Sequence, residues 1–118
     1  MRKELNTLTL LTNAVREIDD SMPIQTLSVL LEIARREPIG ITKLSEHVGL
    51  AQSSASRNVA ALSARHWLKR PGLCLVQLEN DPQDIRKKMV TLTAKGRKAI
   101  EQLVDIIGSQ QSPAVKQS

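Results

Sequence analysis

Apolar positions recur every three or four residues in five separate stretches of this 118-residue chain, and two short strand-like runs lie between the fourth and the fifth. Leu5, Leu8, Leu11, Val15 and Ile18 lay one stripe along a first helix over residues 1–20. Such a stripe needs a partner. A second helix over 23–37 opens on Pro23, whose missing amide hydrogen costs nothing there, turns Leu27, Leu30, Leu31 and Ala34 inward, and ends before Pro38 and Gly40. A short helix over 42–49 is expected to be capped by the Thr42 hydroxyl, to bury Leu44 and Val48, and to close on a left-handed Gly49. Beyond that turn, a helix over 52–65 repeats Ala55, Val59 and Leu62, which leaves Gln52, Ser53, Ser56, Arg57 and Asn58 on a polar, basic face. Pro71-Gly72 then breaks the chain. The runs LCLVQLE and KKMVTLT, joined by the turn NDPQDI, predict a hairpin within residues 73–93. A last helix over 94–107 carries Ala99, Ile100, Leu103, Val104 and Ile107, and residues 109–118 read as a flexible tail.

The order of these elements predicts one domain over residues 1–108, mainly α with a small β-hairpin wing (α+β): a winged helix-turn-helix. In that arrangement the helix after the glycine turn enters the major groove of DNA, and the hairpin follows as a wing.

Charge sharpens the picture. The chain carries +5 overall, but residues 42–98 hold eleven basic against four acidic side chains, a net +7, and the remainder is −2. Attraction to phosphate is therefore concentrated in the helix-turn-helix and wing, and both ends are left for other work. With 41% hydrophobic and 25% charged residues the chain can build one core. Its longest apolar runs fall short of a membrane span, and a cytoplasmic location is expected. The single cysteine, Cys74, lies in an apolar run, so a buried, inert thiol is preferred over a redox sensor. His47 and His66 lack partners at metal-ligand spacing, and no metal or cofactor is expected. No nucleophile, base and oxyanion group form a recognisable set, which argues against an enzyme. Trp67 is the only aromatic residue, so single strands have little to stack on, and duplex DNA remains as the partner.

The sequences GLAQSSASRNVAAL, WLKR and DPQDIRKKMVTLTAKGRKAI, in that order and spacing, resemble the MarR family of winged-helix regulators over roughly residues 23–107. The family's Gly-Leu-Ser turn, Ser-Thr-Val-Ser-Arg stretch, wing Asp-Arg-Arg and Val-x-Leu-Thr-x-x-Gly strand end correspond to Gly49-Leu50-Ala51, Ser53–Arg57, Asp84-Ile85-Arg86 and Val90–Gly96. The resemblance implies that Ser53, Ser54, Ser56 and Arg57 face DNA, with Gln52 and Asn58 beside them. It also implies that Arg86 reaches the minor groove with Asp84 bracing it. An arginine suits a narrow minor groove, where negative potential is enhanced. Lys87 and Lys88 flank it, and because adjacent strand residues point to opposite faces, one of them, with Lys88 preferred, meets phosphate. Thr42, Lys43 and Arg70 are assigned to the DNA backbone.

Four departures alter local expectations. Ala51 stands where the family has a capping serine, which moves the helix start toward Ser53 as cap. His66 stands where a glycine often ends the helix, so the backbone there is strained or the boundary shifts. Ile85 replaces the first wing arginine, and the length of chain from Arg70 to Asp84 predicts a longer first wing strand.

Leu5, Leu8, Leu11 and Val15, with Ile100, Leu103, Val104 and Ile107, are expected to form a homodimer interface that sets two reading helices on a palindromic site. Repression by promoter occlusion follows, and no small-molecule effector is assigned. Two other readings share the fold: a winged-helix protein-interaction module, and a phage or plasmid replication or partition protein.

Overall fold

The structure, a computed structural model, describes residues 1–66 and 68–111. Trp67 and the part of the expected tail from residue 112 onward lie outside the described residues. The elements run α1 (Arg2–Ile18), α2 (Ile24–Arg36), β1 (Ile39–Gly40), α3 (Ile41–Val48), α4 (Gln52–Leu62), β2 (Val76–Asp81), β3 (Asp84–Leu92) and α5 (Ala94–Gln111).

Helix α2 is the centre of the core, packed on α3, α4 and β3. Its buried face is Thr26, Val29, Leu30 and Ile33, one position round from the expected Leu27, Leu30, Leu31 and Ala34. Both sets have helical spacing and share Leu30; Thr26 can be buried because its hydroxyl donates to Asn58 Oδ1 at 2.7 Å. Leu31 is left exposed. Leu30, Ile33, Leu44 and Leu62 are fully buried, each contributing about 2–3 kcal/mol of transfer free energy. On α4 the expected Ala55, Val59 and Leu62 are the buried residues.

Helix α3 begins at Ile41 with Gly40 as its N-cap, so Thr42 lies inside the first turn and does not cap it. The cause is β1, which the sequence did not predict: Ile39 pairs with Val90 and Gly40 with Met89, and the strand runs straight into the helix. Gly49 closes α3 at φ 70, the left-handed conformation expected of it. Helix α4 starts at Gln52 after Ala51, without a side-chain cap, so Ser53 is not the cap either.

Of the two outcomes expected at His66, the boundary shifts: α4 ends earlier, at Leu62. Among the described residues, the non-glycine positions with positive φ are Lys69 and Cys74, at 62 and 59. From Gly72 the chain returns along the end of α4: the amides of Gly72, Leu73, Cys74 and Leu75 donate to the carbonyls of Ala64, Ala61, Ser63 and Leu62. The extra length between Arg70 and Asp84 is used in this return and not in a longer strand; β2 has only 6 residues. Cys74 lies in the return, ahead of β2, and is exposed; the expectation of a buried thiol is corrected. A three-stranded antiparallel sheet results, in the order β1-β3-β2.

At the far end of the wing, the first turn of α5 is stitched to the chain before β2. The Thr93 hydroxyl donates to the Cys74 carbonyl at 2.7 Å and accepts the Gly96 amide at 3.0 Å, and Lys95 Nζ donates to the Leu73 carbonyl at 3.0 Å. Helix α5 then runs to Gln111, past the expected end at Ile107, and packs on α1.

Candidate nucleic-acid interface

Two elements carry the residues assigned to DNA, and each is held by contacts that the chain makes with itself. The start of α4 is tied to α3 by a hydrogen bond from Gln52 Nε2 to Thr42 Oγ1. This fastens the first turn of the helix that has no capping side chain. Ser53, Ser56 and Arg57 are exposed on it, and Ser54 is half-buried. Asn58 departs from the outward face expected of it. Its Oδ1 accepts from buried Thr26, and its Nδ2 donates to the Ser54 carbonyl at 2.9 Å, so both ends of the amide are engaged within the protein. Thr42 and Lys43 are exposed on α3. A cleft of about 640 Å³ opens beside α4 and brings Arg57, Asn58, His66 and Arg70 to one concavity with Gln25 and Thr26.

The wing is an antiparallel hairpin with a two-residue connection, Pro82 and Gln83. Its ladder keeps one register from Val76↔Leu92 to Asn80↔Lys88, then jumps to Asp81↔Asp84. Ile85, Arg86 and Lys87 therefore bulge from β3 with no residue opposite them. Both sides of the bulge are anchored. Asp84 Oδ1 accepts the Arg86 backbone amide at 3.1 Å and its Nε at 3.2 Å, and Lys88 Nζ donates to Asn80 Oδ1 at 2.6 Å across the ladder.

The hydrogen bond from the Arg86 guanidinium, with that from the Arg86 amide, holds the Asp84 carboxyl below the usual carboxylate range. The expected brace of Arg86 by Asp84 is thus present as a charged pair with Arg86 itself exposed. Lys88, preferred over Lys87 for phosphate, is committed to Asn80, while Lys87 is exposed in the bulge.

The apolar residues assigned to a partner copy divide. Leu5, Leu8, Val104 and Ile107 are exposed, while Leu11, Val15 and Ile100 are half-buried. Leu103 is buried within the chain, at 7% exposure, because α5 turns it inward with Ala99, and it does not offer an interface. Helix α1 has no buried residue.

Two positioning residues escape the sequence reading. Thr26 is a polar residue in register with Val29, Leu30 and Ile33, a mark that is legible but outweighed by the leucines. Glu37 closes α2 and accepts the Leu92 amide at 2.9 Å and Arg97 Nη2 at 3.0 Å, joining the end of the wing to α5. Nothing local signals that role.

Among the described residues there is no group of three or more His, Cys, Asp or Glu that could hold a metal ion, and no helix is long and apolar enough to cross a membrane.

No protein-family model and no curated protein matches the chain. Solved structures do. The S. aureus MepR–DNA complex superposes with a TM-score of 0.73 at 14% identity, covering 98% of this chain and 88% of that one. RV1404 from Mycobacterium tuberculosis gives 0.69 at 20% identity over 94% and 71%. A mutant MarR from E. coli, complexed with operator DNA, gives 0.65 at 20% identity over 91% and 69%. From α1 through the wing to α5, this chain has the winged-helix fold of these proteins.

Proposed function

We propose that the chain is a sequence-specific, double-stranded DNA-binding transcription regulator of the MarR type, which represses as a homodimer by occluding a promoter at a palindromic site. The observation that carries this reading is the wing: an exposed Arg86, pre-set by Asp84 in a bulge, follows a helix whose exposed face carries Ser53, Ser56 and Arg57. Serine hydroxyls suit phosphate oxygens, and an arginine fork suits guanine O6 and N7 in the major groove. An arginine held at a hairpin tip suits the minor groove, where no helix fits. MepR and MarR are both described in complexes with DNA, and the fold is shared.

The exposed Leu5, Leu8, Val104 and Ile107 on α1 and α5 support pairing of two copies through those helices. A two-fold dimer then sets its reading helices about 34–36 Å apart, one turn of the duplex.

The test begins with duplexes enriched by the protein from a randomised pool. Specific binding should weaken in both Arg57→Ala and Arg86→Ala. Each should lower the slope of log affinity against log salt by about 1 for every phosphate that the variant leaves unneutralised. Footprints should be two-fold symmetric, and sedimentation should give a dimer. Binding unchanged in both variants would remove the assigned residues. A flat salt dependence favours the protein-interaction module.

A further inference from the structure

Ile85 is 75% exposed, a large aliphatic side chain at the end of a hairpin with no core beneath it. Single exposed aliphatics are ordinary on protein surfaces. The setting of this one is not. It opens the three-residue bulge of β3, so no cross-strand neighbour covers it. Asp84 before it is fixed to Arg86 after it, and the Gln83 amide is fixed to Asp81 Oδ1 at 2.9 Å. Its branched Cβ leaves few rotamers. The backbone that presents the side chain is thus held, between a charge-paired carboxylate and the cations Arg86 and Lys87.

We propose that Ile85 is a DNA contact in its own right: an apolar wedge that enters the minor groove beside Arg86 and presses on a base step. This rests on the reading of the chain as a duplex-binding protein. The minor groove is about 6 Å wide, its walls are sugar C–H groups, and it admits side chains rather than a helix. Arg86 supplies the attraction to its negative potential, and Ile85 supplies apolar surface that gains by leaving water. Aliphatic side chains inserted there unstack a step and kink the duplex, least expensively at pyrimidine–purine steps. The wedge therefore adds a sequence preference that rests on deformability and requires no hydrogen bond to a base.

The experiment uses duplexes enriched by the wild-type protein from a randomised pool, with 2-aminopurine placed across the wing position and end-labelled copies for bending by energy transfer. Ile85→Ala should weaken binding about five- to tenfold, from the aliphatic area no longer buried. It should also reduce the 2-aminopurine signal and the bend, and leave the salt slope unchanged because no charge is removed. Ile85→Arg should raise the salt slope by about 1 without restoring the signal. The position is exposed, so both variants should fold, and circular dichroism checks this.

Affinity or 2-aminopurine signal unchanged in Ile85→Ala overturns the wedge. If Arg57→Ala weakens binding in the same assay, only the wedge falls and duplex recognition stands. If the wild-type protein enriches no duplex, both fall.

Discussion

Gly96→Ala sets two rules against each other. On helix propensity alone the exchange should stabilise α5 by about 1 kcal/mol. In the structure, a Cβ at Gly96 would stand 1.9 Å from the Leu75 carbonyl oxygen, 2.8 Å from its carbon and 3.2 Å from its Cα. Favourable carbon contacts begin at about 3.5 Å, so helix or chain must shift by more than about 1 Å, and the obstacle is backbone. That backbone is not free to yield. The Leu75 carbonyl accepts the Thr93 amide at 3.0 Å, its own amide is bonded to Leu62, and its side chain is fully buried. Overpacking costs about 1–3 kcal/mol, here toward the upper end, and a strained hydrogen bond adds about 1. Less the propensity gain, the net destabilisation is about 2–3 kcal/mol, a fall in Tm of roughly 8–15 °C.

The control lies in the same helix: at Gly108 an added Cβ meets nothing within 4 Å. Gly108→Ala should therefore raise stability by up to about 1 kcal/mol. Urea and thermal unfolding followed by circular dichroism read both variants. A Gly96→Ala protein as stable as the wild type would refute the close approach.

Thr26→Val keeps the volume and removes the hydroxyl that Asn58 uses; a double-mutant cycle with Asn58→Ala should show coupling of about 1 kcal/mol in unfolding free energy. Asp84 should titrate below ordinary aspartates by carboxyl NMR, and move up toward their range in Arg86→Ala, which removes the guanidinium but keeps the backbone amide. The folded value is the lowered one, so the brace contributes above the ordinary carboxylate range and disappears as pH falls through the lowered value. Glu37→Ala should cost about 1–3 kcal/mol by orphaning the Leu92 amide, while Glu37→Gln should cost less than about 1, because Arg97 is more than half exposed. Urea unfolding checks both.

Local periodicity establishes which residues could share a face, and it suffices wherever only one frame is available. On α4, Ala55, Val59 and Leu62 have no competitor, and the Gly49 turn carries its own signature in a positive φ. On α2 two frames overlap at Leu30. Spacing favours the one rich in leucine, yet the one with a threonine is buried because Asn58, 32 residues away, supplies the partner for its hydroxyl. Thr42 has the chemistry of a cap, but Ile39 and Gly40 pair with β3 and start α3 earlier.

The strand-end motif ending in Gly96 is legible as a pattern. Its physical reason, the Leu75 carbonyl beneath it, belongs to a return of the chain that no spacing announces. The same distinction separates the residues proposed to touch DNA from those that hold them. Arg57 and Arg86 are legible because charge and local motif mark them. Asn58 looks equally exposed on a helical wheel but faces Thr26, and Glu37 reaches Leu92 over 55 residues. Side chains that position an interface are chosen by distant neighbours. A sequence read alone therefore tends to assign them to the ligand, and for Asn58 the Thr26 cycle decides between the two roles.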